Sequence, residues 1–161
     1  MRLLVGPVTA VERLLASAPV DHVLTLASPD AESPPPSAPC TLLRFNDIVE
    51  ARPGLVMPSA ADIAAILALR ETPTLLIHCH AGVSRSTAAA YILACAVRPK
   101  GEEAILAAQL RAASPEATPN ILMVALADAA LERGGAMSAA VAGIGRGVDC
   151  YEGSTVDWAL D

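Results

Sequence analysis

The chain has 161 residues, which suits one compact domain and leaves little room for a second. Apolar residues make up 53% of it, which excludes an intrinsically disordered chain, and no apolar run approaches the roughly 18 residues of a membrane span. Because the formal net charge is −6 and no run of Lys or Arg occurs, we do not expect nucleic acid as a partner. The lack of a long apolar run likewise makes a membrane an unexpected partner.

Strands and helices are predicted to alternate along most of the chain. Short apolar or β-branched runs bounded by turn residues predict strands at Leu3–Val5, His22–Leu26, Thr41–Phe45 and Thr74–Ile77. Apolar residues at helical spacing predict helices that begin near Thr9, Ser59, Arg85, Glu102 and Asn120. Thr9 and Ser59 are predicted N-caps. Alternating strands and helices indicate an α/β domain, with a central, mainly parallel sheet of about four strands flanked by helices.

Two segments fall outside this pattern. Residues 28–40 hold the highest proline density of the chain, which predicts a loop. After a domain of residues 1–133, residues 134–161 are predicted to form a tail that is partly helical or mobile, with Trp158 anchoring part of it. The alternating glycines of AGIGRG have no predicted strand before them and no helix after them, so a nucleotide-binding loop is not favoured.

The four cysteines are too widely spaced to indicate a small disulfide-rich scaffold. A reducing cytoplasm is therefore the expected compartment. The apolar run Leu3–Val11 offers some likeness to a secretory signal, but Glu12 and Arg13 interrupt it early. We expect Cys40 and Cys95 to lie in the core.

The segment IHCHAGVSRST joins a predicted buried strand to the apolar helix that begins at Arg85. In such a loop, successive backbone N–H groups converge with the positive end of the helix dipole and form a cradle for an oxyanion. The predicted phosphate-binding residues are His80, Ala81, Gly82, Val83, Ser84 and Arg85. Five residues separate Cys79 from Arg85, so a single tetrahedral anion can contact both the thiol and the guanidinium.

The same cradle favours the thiolate form of Cys79, because inward amides, the helix terminus and Arg85 all stabilise a negative charge. Cys79 is therefore a candidate nucleophile. Ser86 directly follows Arg85 and is placed to hydrogen-bond the sulfur. His78, at the end of the strand, is expected to orient the loop through hydrogen bonds.

Other interpretations of these residues remain. Cys79 alone can be a buried structural thiol. His78, Cys79, His80 and Cys95 are all zinc-ligand types, but adjacent ligands at a strand end point to opposite sides, which disfavours a metal site. Cys40 or Cys95 can serve as a resolving thiol for oxidised Cys79.

The loop resembles a known family signature, HCxxGxxR(S/T) of the cysteine-dependent protein tyrosine phosphatases. The matching residues are His78, Cys79, Ala81, Gly82, Ser84, Arg85 and Ser86. The form AGxSRS resembles the dual-specificity subclass, and the resemblance spans roughly residues 2–133. It implies a dual-specificity phosphatase-like fold and a hydrolase that forms a cysteinyl-phosphate intermediate without metal or cofactor.

In this family a loop Asp upstream of the nucleophile protonates the leaving group. Asp47 precedes Cys79 by 32 positions and begins a loop after a predicted strand, so the resemblance implies that Asp47 is the general acid. Glu50 lies in the same loop and is the alternative. RAASPEATPN, from Arg111 to Asn120, also resembles the family's segment before its last helix.

The expected partner is a phosphorylated protein or a small phosphomonoester. Because the first predicted strand begins almost at the first residue, we expect a shallow cleft that accepts phosphotyrosine, phosphoserine or phosphothreonine. A phosphate-reading module without turnover and an interaction scaffold that uses the acidic tail are the competing classes.

Overall fold

Five strands form one mixed sheet in the computed structural model, which describes residues 1–160. They are β1 (Arg2–Pro7), β2 (His22–Ala27), β3 (Cys40–Arg44), β4 (Thr74–Cys79) and β5 (Val156–Ala159). The order across the sheet is β3-β2-β4-β1-β5. All pairings are parallel except that of β1 with β5, which is antiparallel. The α/β class and the mainly parallel sheet are confirmed, and the sheet has one strand more than predicted.

Within residues 1–160, six α-helices cover the two faces of the sheet. They are α1 (Val11–Ser17), α2 (Ala60–Leu67), α3 (Arg85–Val97), α4 (Glu103–Ala113), α5 (Ile121–Ala130) and α6 (Ala136–Ile144). Successive strand residues point to opposite faces. Leu4 therefore packs in a small cluster with α1, while Leu3 and Val5 belong to the main core with the other helices.

Helix α3 is the centre of the main core and begins where β4 has just ended. Its residues from Arg85 to Cys95 are all buried. The run Ala88–Ala90 has side chains of a single methyl group, which lets neighbouring helices approach closely. This packing fixes the start of α3, and with it Arg85, beneath the loop that follows β4.

The two predicted N-caps have different outcomes. Ser59 caps α2 as predicted: its Oγ accepts from the Asp62 amide at 3.3 Å, and Asp62 Oδ2 accepts from the Ser59 amide at 2.8 Å. The prediction for Thr9 is wrong, because a 3₁₀ turn at Val8–Ala10 precedes α1. The Thr9 hydroxyl instead donates to Glu152 Oε1 at 3.0 Å.

The segment from residue 134, for which we predicted a partly helical or mobile tail, contains α6 and returns to the sheet as β5. Trp158 of β5 is 8% exposed, and its Nε1 donates to Gln109 Oε1 at 3.3 Å. The strand was missed because it has only four residues and its partner, β1, lies at the opposite end of the chain. Within residues 1–160, no helix combines the length and apolarity needed to cross a bilayer.

Candidate active site

The loop of residues 79–85 lies at the carboxyl end of β4, between Cys79, the last residue of that strand, and Arg85, the first residue of α3. Gly82 at its centre has φ +71°, a conformation that L side chains rarely adopt. A Cβ atom at this position would lie 2.5 Å from the backbone nitrogen of Pro7. Only glycine therefore allows the loop to pass so close to the end of β1.

The loop carbonyls are held outward by neighbouring segments. Four of them accept hydrogen bonds from outside the loop: His80 O from Val8 N at 3.2 Å, Ala81 O from Gly153 N at 2.8 Å, Val83 O from Thr118 N at 2.9 Å, and Ser84 O from Asn120 N at 3.3 Å. In a trans peptide the following N–H points opposite to the C=O. The amides of Ala81, Gly82, Ser84 and Arg85 therefore face away from these segments, toward the interior of the loop.

These inward amides are available to a ligand. Over the described part of the chain, the amides of residues 80–84 make no backbone hydrogen bond as donors. A concave set of N–H groups at the start of a helix is an anion-binding nest. The predicted position of the loop, between the end of a buried strand and the start of an apolar helix, is what the structure shows; anion binding by it stays a prediction.

Cys79 lies at the base of this loop and is 4% exposed. Its Sγ is 3.2 Å from the Oγ of Ser86, which is fully buried. Cys79, Arg85 and His80 line one pocket of about 160 Å³. Ser28, Ala31, Glu32 and Ser33 of the proline-rich loop form another wall of this pocket, which the sequence did not indicate.

Arg85 is a buried cation without a carboxylate partner among residues 1–160. Its Nη1 donates to Phe45 O at 2.9 Å and to Ser28 Oγ at 3.3 Å. Its Nε is buried and has no hydrogen-bond acceptor among these residues. A buried charge is costly unless it is paired. Arg85 therefore favours an anion in the adjoining pocket.

Asp47 is exposed and is fixed by two donors on one oxygen. Its Oδ1 accepts from Ser84 Oγ at 2.7 Å and from Asn120 Nδ2 at 2.8 Å. Asn120 also caps α5, because its Oδ1 accepts from the Met123 amide at 3.0 Å. The sequence predicted a helix start at Asn120 but gave no indication of its contact with Asp47.

Asp47 does not line the pocket that holds Cys79. It lines a second pocket, of about 460 Å³, together with Ser84 and Asn120. Ser84 links the Asp47 pocket to the loop that carries Cys79, because it belongs to the 79–85 loop and its hydroxyl donates to Asp47. The alternative acid, Glu50, lines neither pocket and lies 3.5 Å from Arg52 at the surface.

His78 is buried behind the loop, and its Nε2 lies 2.8 Å from Thr25 Oγ1. Burial, only partly opposed by the Cys79 backbone, lowers the pKa of His78 from 6.5 to about 4. The imidazole is therefore neutral at pH 7. A neutral, buried ring that joins β4 to β2 suits an orienting residue and not a proton donor.

The remaining cysteines do not share the surroundings of Cys79. Cys95 is buried in α3, and burial raises the pKa of its thiol to about 11, which makes it a poor nucleophile. Cys40 is exposed, so its predicted place in the core is wrong; it lies on β3, an edge strand whose residues are only partly covered. In the described chain, no three His, Cys, Asp or Glu side chains are grouped as metal ligands.

No protein-family model matches the chain, and no curated protein matches it either. What the loop can do therefore follows from its own geometry. The Cys79 thiol and the Arg85 guanidinium, which has no carboxylate partner among residues 1–160, line one small pocket. The loop that joins these two residues carries backbone amides that make no backbone hydrogen bond as donors within the same described residues. This combination can bind a tetrahedral dianion and place a sulfur nucleophile next to its central atom.

Proposed function

We propose that the protein is a cysteine-dependent phosphomonoester hydrolase that resembles small dual-specificity phosphatases. The observation that carries the proposal is the buried Arg85, which has no carboxylate partner among residues 1–160 and shares its pocket with Cys79. The residues proposed to act in catalysis are Cys79, Arg85, Asp47 and Ser86. The residues proposed to bind phosphate are His80, Ala81, Gly82, Val83, Ser84 and Arg85, with His78 in support.

In the first step, the Cys79 thiolate attacks phosphorus in line with the leaving oxygen. The S–P bond forms, the P–O bond to the leaving group breaks, and that oxygen takes a proton from Asp47. Arg85 and the inward amides hold the three equatorial oxygens, where negative charge is concentrated in the transition state. Because Asp47 Oδ1 already accepts two hydrogen bonds, the transferred proton resides on Oδ2.

In the second step, water attacks the cysteinyl-phosphate. Asp47, now a carboxylate, accepts a proton from this water, and the S–P bond breaks to release inorganic phosphate and the thiolate. The Ser86 hydroxyl, 3.2 Å from the sulfur, donates a hydrogen bond that stabilises the departing thiolate. Because Arg85 and the loop amides neutralise the negative charge of the phosphoryl group, the two reaction steps need no metal ion.

The substrate is a phosphorylated protein or a small phosphomonoester. The pocket of about 160 Å³ accommodates the phosphate with a short part of the group that carries it. Four free thiols in the chain agree with a reducing, cytoplasmic setting.

A binding module without turnover is the second candidate, and one observation favours it. Asp47 lines a different pocket from Cys79, so the proton donor and the nucleophile do not face one cavity in this structure. Such a module would bind phosphate through Arg85 and the loop amides but release no product.

Hydrolysis of para-nitrophenyl phosphate separates the two candidates. The hydrolase predicts turnover by the unmodified protein and none by Cys79→Ser, which still binds tungstate through the loop. Cys40→Ser is the matched control, since Cys40 is an exposed free thiol, and it keeps full activity. Tungstate binding without turnover by the unmodified protein supports the binding module. Turnover that survives in Cys79→Ser contradicts the mechanism.

A further inference from the structure

We propose that the C-terminal segment, residues 145–155, is a positioning element of the anion site and acts on the 79–85 loop through Gly153. This inference rests on the proposed function, because it concerns the same loop. It adds to the site a part of the chain that lies outside the family resemblance.

The first observation is a hydrogen bond across the loop. The Gly153 amide donates to Ala81 O at 2.8 Å. This bond fixes the peptide plane between Ala81 and Gly82, so the Gly82 N–H points to the opposite side, into the loop. The carbonyls of His80, Val83 and Ser84 accept hydrogen bonds from other segments of the chain. The orientation of the Gly82 amide therefore depends on the C-terminal segment.

The second observation is the closeness of the two backbones. A Cβ atom on Gly153 would lie 2.7 Å from Gly82 O and 3.2 Å from the Val83 side chain. Gly153 does not have a positive φ, so its own backbone conformation would accept alanine. Contact with the loop is therefore the reason that a side chain does not fit at this position.

The third observation is that the segment is held on both sides of Gly153. Glu152 accepts from the Thr9 hydroxyl at 3.0 Å, and the Ser154 hydroxyl donates to Glu116 Oε1 at 2.9 Å. The pairing of β5 with β1 follows immediately after residue 155. Because Gly153 is tethered in this way, the loop rests against a fixed support and not against a free end.

The expected consequence concerns anion affinity. Removing one donor from an oxyanion site costs about 100- to 1,000-fold in rate in well-studied enzymes. Displacing the Gly82 peptide, without removing its N–H, has a smaller effect, and we expect about a tenfold loss. A tenfold loss would leave binding measurable.

The test compares Gly153→Ala with Gly143→Ala. Gly143 belongs to α6 of the same C-terminal region, and no atom of the described residues 1–160 beyond the helix's own backbone lies within 4 Å of an added Cβ. Tungstate affinity is measured by calorimetry at a temperature where circular dichroism shows both variants folded. We expect the Kd of Gly153→Ala to rise about tenfold and kcat/KM for para-nitrophenyl phosphate to fall by the same factor, with Gly143→Ala like the unmodified protein.

A purely structural role for Gly153 would lower the melting temperature and leave the Kd of the folded variant unchanged, which overturns the inference. If Gly153→Ala does not fold, amide exchange in the unmodified protein decides. The exchange of the Gly153 N–H slows on tungstate binding if the segment supports the loop, and an unchanged rate contradicts it. If the unmodified protein binds no tungstate, the proposed function itself fails. If the unmodified protein binds tungstate and Gly153→Ala and Gly143→Ala bind it with the same Kd, this inference alone fails.

Discussion

The side-chain amide of Asn120 donates to Asp47 Oδ1 at 2.8 Å, although the two residues are 73 positions apart in the chain. The same Asn120 caps α5, so the start of that helix and the proposed general acid share one side chain. The Ser84 hydroxyl donates to the same carboxylate oxygen at 2.7 Å. Asp47 is thereby tied to both the 79–85 loop and the helical layer beside it.

Asn120→Asp is expected to lower kcat for para-nitrophenyl phosphate about tenfold, which is less than the roughly 100- to 10,000-fold that a general acid typically contributes, because Asp47 itself is kept. The new carboxylate keeps an acceptor for the Met123 amide, so the helix cap survives, but it cannot donate to Asp47 and repels it. The control is Asn46→Asp, which places the same charge next to Asp47 and keeps the acceptor for the Val56 amide. Equal losses in both variants would show that charge alone, and not the Asn120 contact, matters.

Gly82→Ala is expected to abolish tungstate binding, because its Cβ would meet the Pro7 nitrogen at 2.5 Å and force the loop away from β1. Gly54→Ala is the matched control: Gly54 has φ +75°, close to the +71° of Gly82, but in the described part of the chain no atom lies within 4 Å of an added Cβ. Gly54→Ala should therefore lose about 1 kcal/mol of stability from backbone strain alone and keep its affinity. Calorimetry with tungstate checks both, and normal binding by Gly82→Ala would contradict the structure of the loop.

His78 is expected to make the folded state less stable as the pH falls. The ring is neutral in the fold, with a pKa lowered to about 4, whereas the unfolded chain protonates it below about pH 6.5. Its contribution is complete above pH 6.5 and is lost progressively toward pH 4. Between pH 7 and pH 5 this amounts to about 2 kcal/mol.

Urea unfolding at pH 7 and pH 5 measures this effect. His78→Gln should lose that share of the pH dependence, whereas His80→Gln, at an exposed loop position, should retain it. The same pH dependence in all three proteins would mean that His78 is not buried in its neutral form.

Arg85→Lys is expected to weaken tungstate binding about 100-fold, although the positive charge is kept. Lysine lacks the Nη1 group that donates to Phe45 O, so that contact is lost. It also lacks the Nε group, which has no acceptor among residues 1–160 and is free to bind an anion. An ammonium group therefore cannot offer the planar set of donors with which a guanidinium binds two oxygens. Arg52→Lys, at an exposed position whose ion-pair partner within residues 1–160 is Glu50 at 3.5 Å, should bind tungstate normally. Full affinity in Arg85→Lys would show that the guanidinium does not face the anion.

The features that the sequence predicted well depend on neighbouring residues. The Ser59 cap needs only Asp62 three residues later, and the 79–85 loop is bounded by an apolar strand and an apolar helix that are each recognisable alone. The missed features depend on distant pairs. Thr9 does not cap a helix as predicted, and its hydroxyl instead donates to Glu152. Asn120 contacts Asp47 because α5 packs beside the segment that carries Asp47. A strand as short as β5 has too few residues to show a hydrophobic periodicity, and a single polar side chain gives no sequence pattern that predicts a distant partner.

The wall that the proline-rich loop adds to the Cys79 pocket illustrates the same limit. Proline density predicted a loop, which is a local property. Ser28 of this loop accepts from the Arg85 guanidinium. The loop is held in place by Arg44, whose Nη1 donates to the carbonyls of Ser28, Pro29 and Ala31. No local pattern in residues 28–40 indicates that contact.

The most direct test of the central claim is to trap the intermediate. Asp47→Asn is mixed with para-nitrophenyl phosphate, quenched with acid within the first turnover, digested and analysed by mass spectrometry. Slow hydrolysis of the intermediate in this variant should leave one phosphoryl group on the peptide that contains Cys79, attached to sulfur and absent when Cys79→Ser is combined with Asp47→Asn. Product formation with no phosphoryl group on Cys79, or with one on another residue, would contradict nucleophilic catalysis by this cysteine.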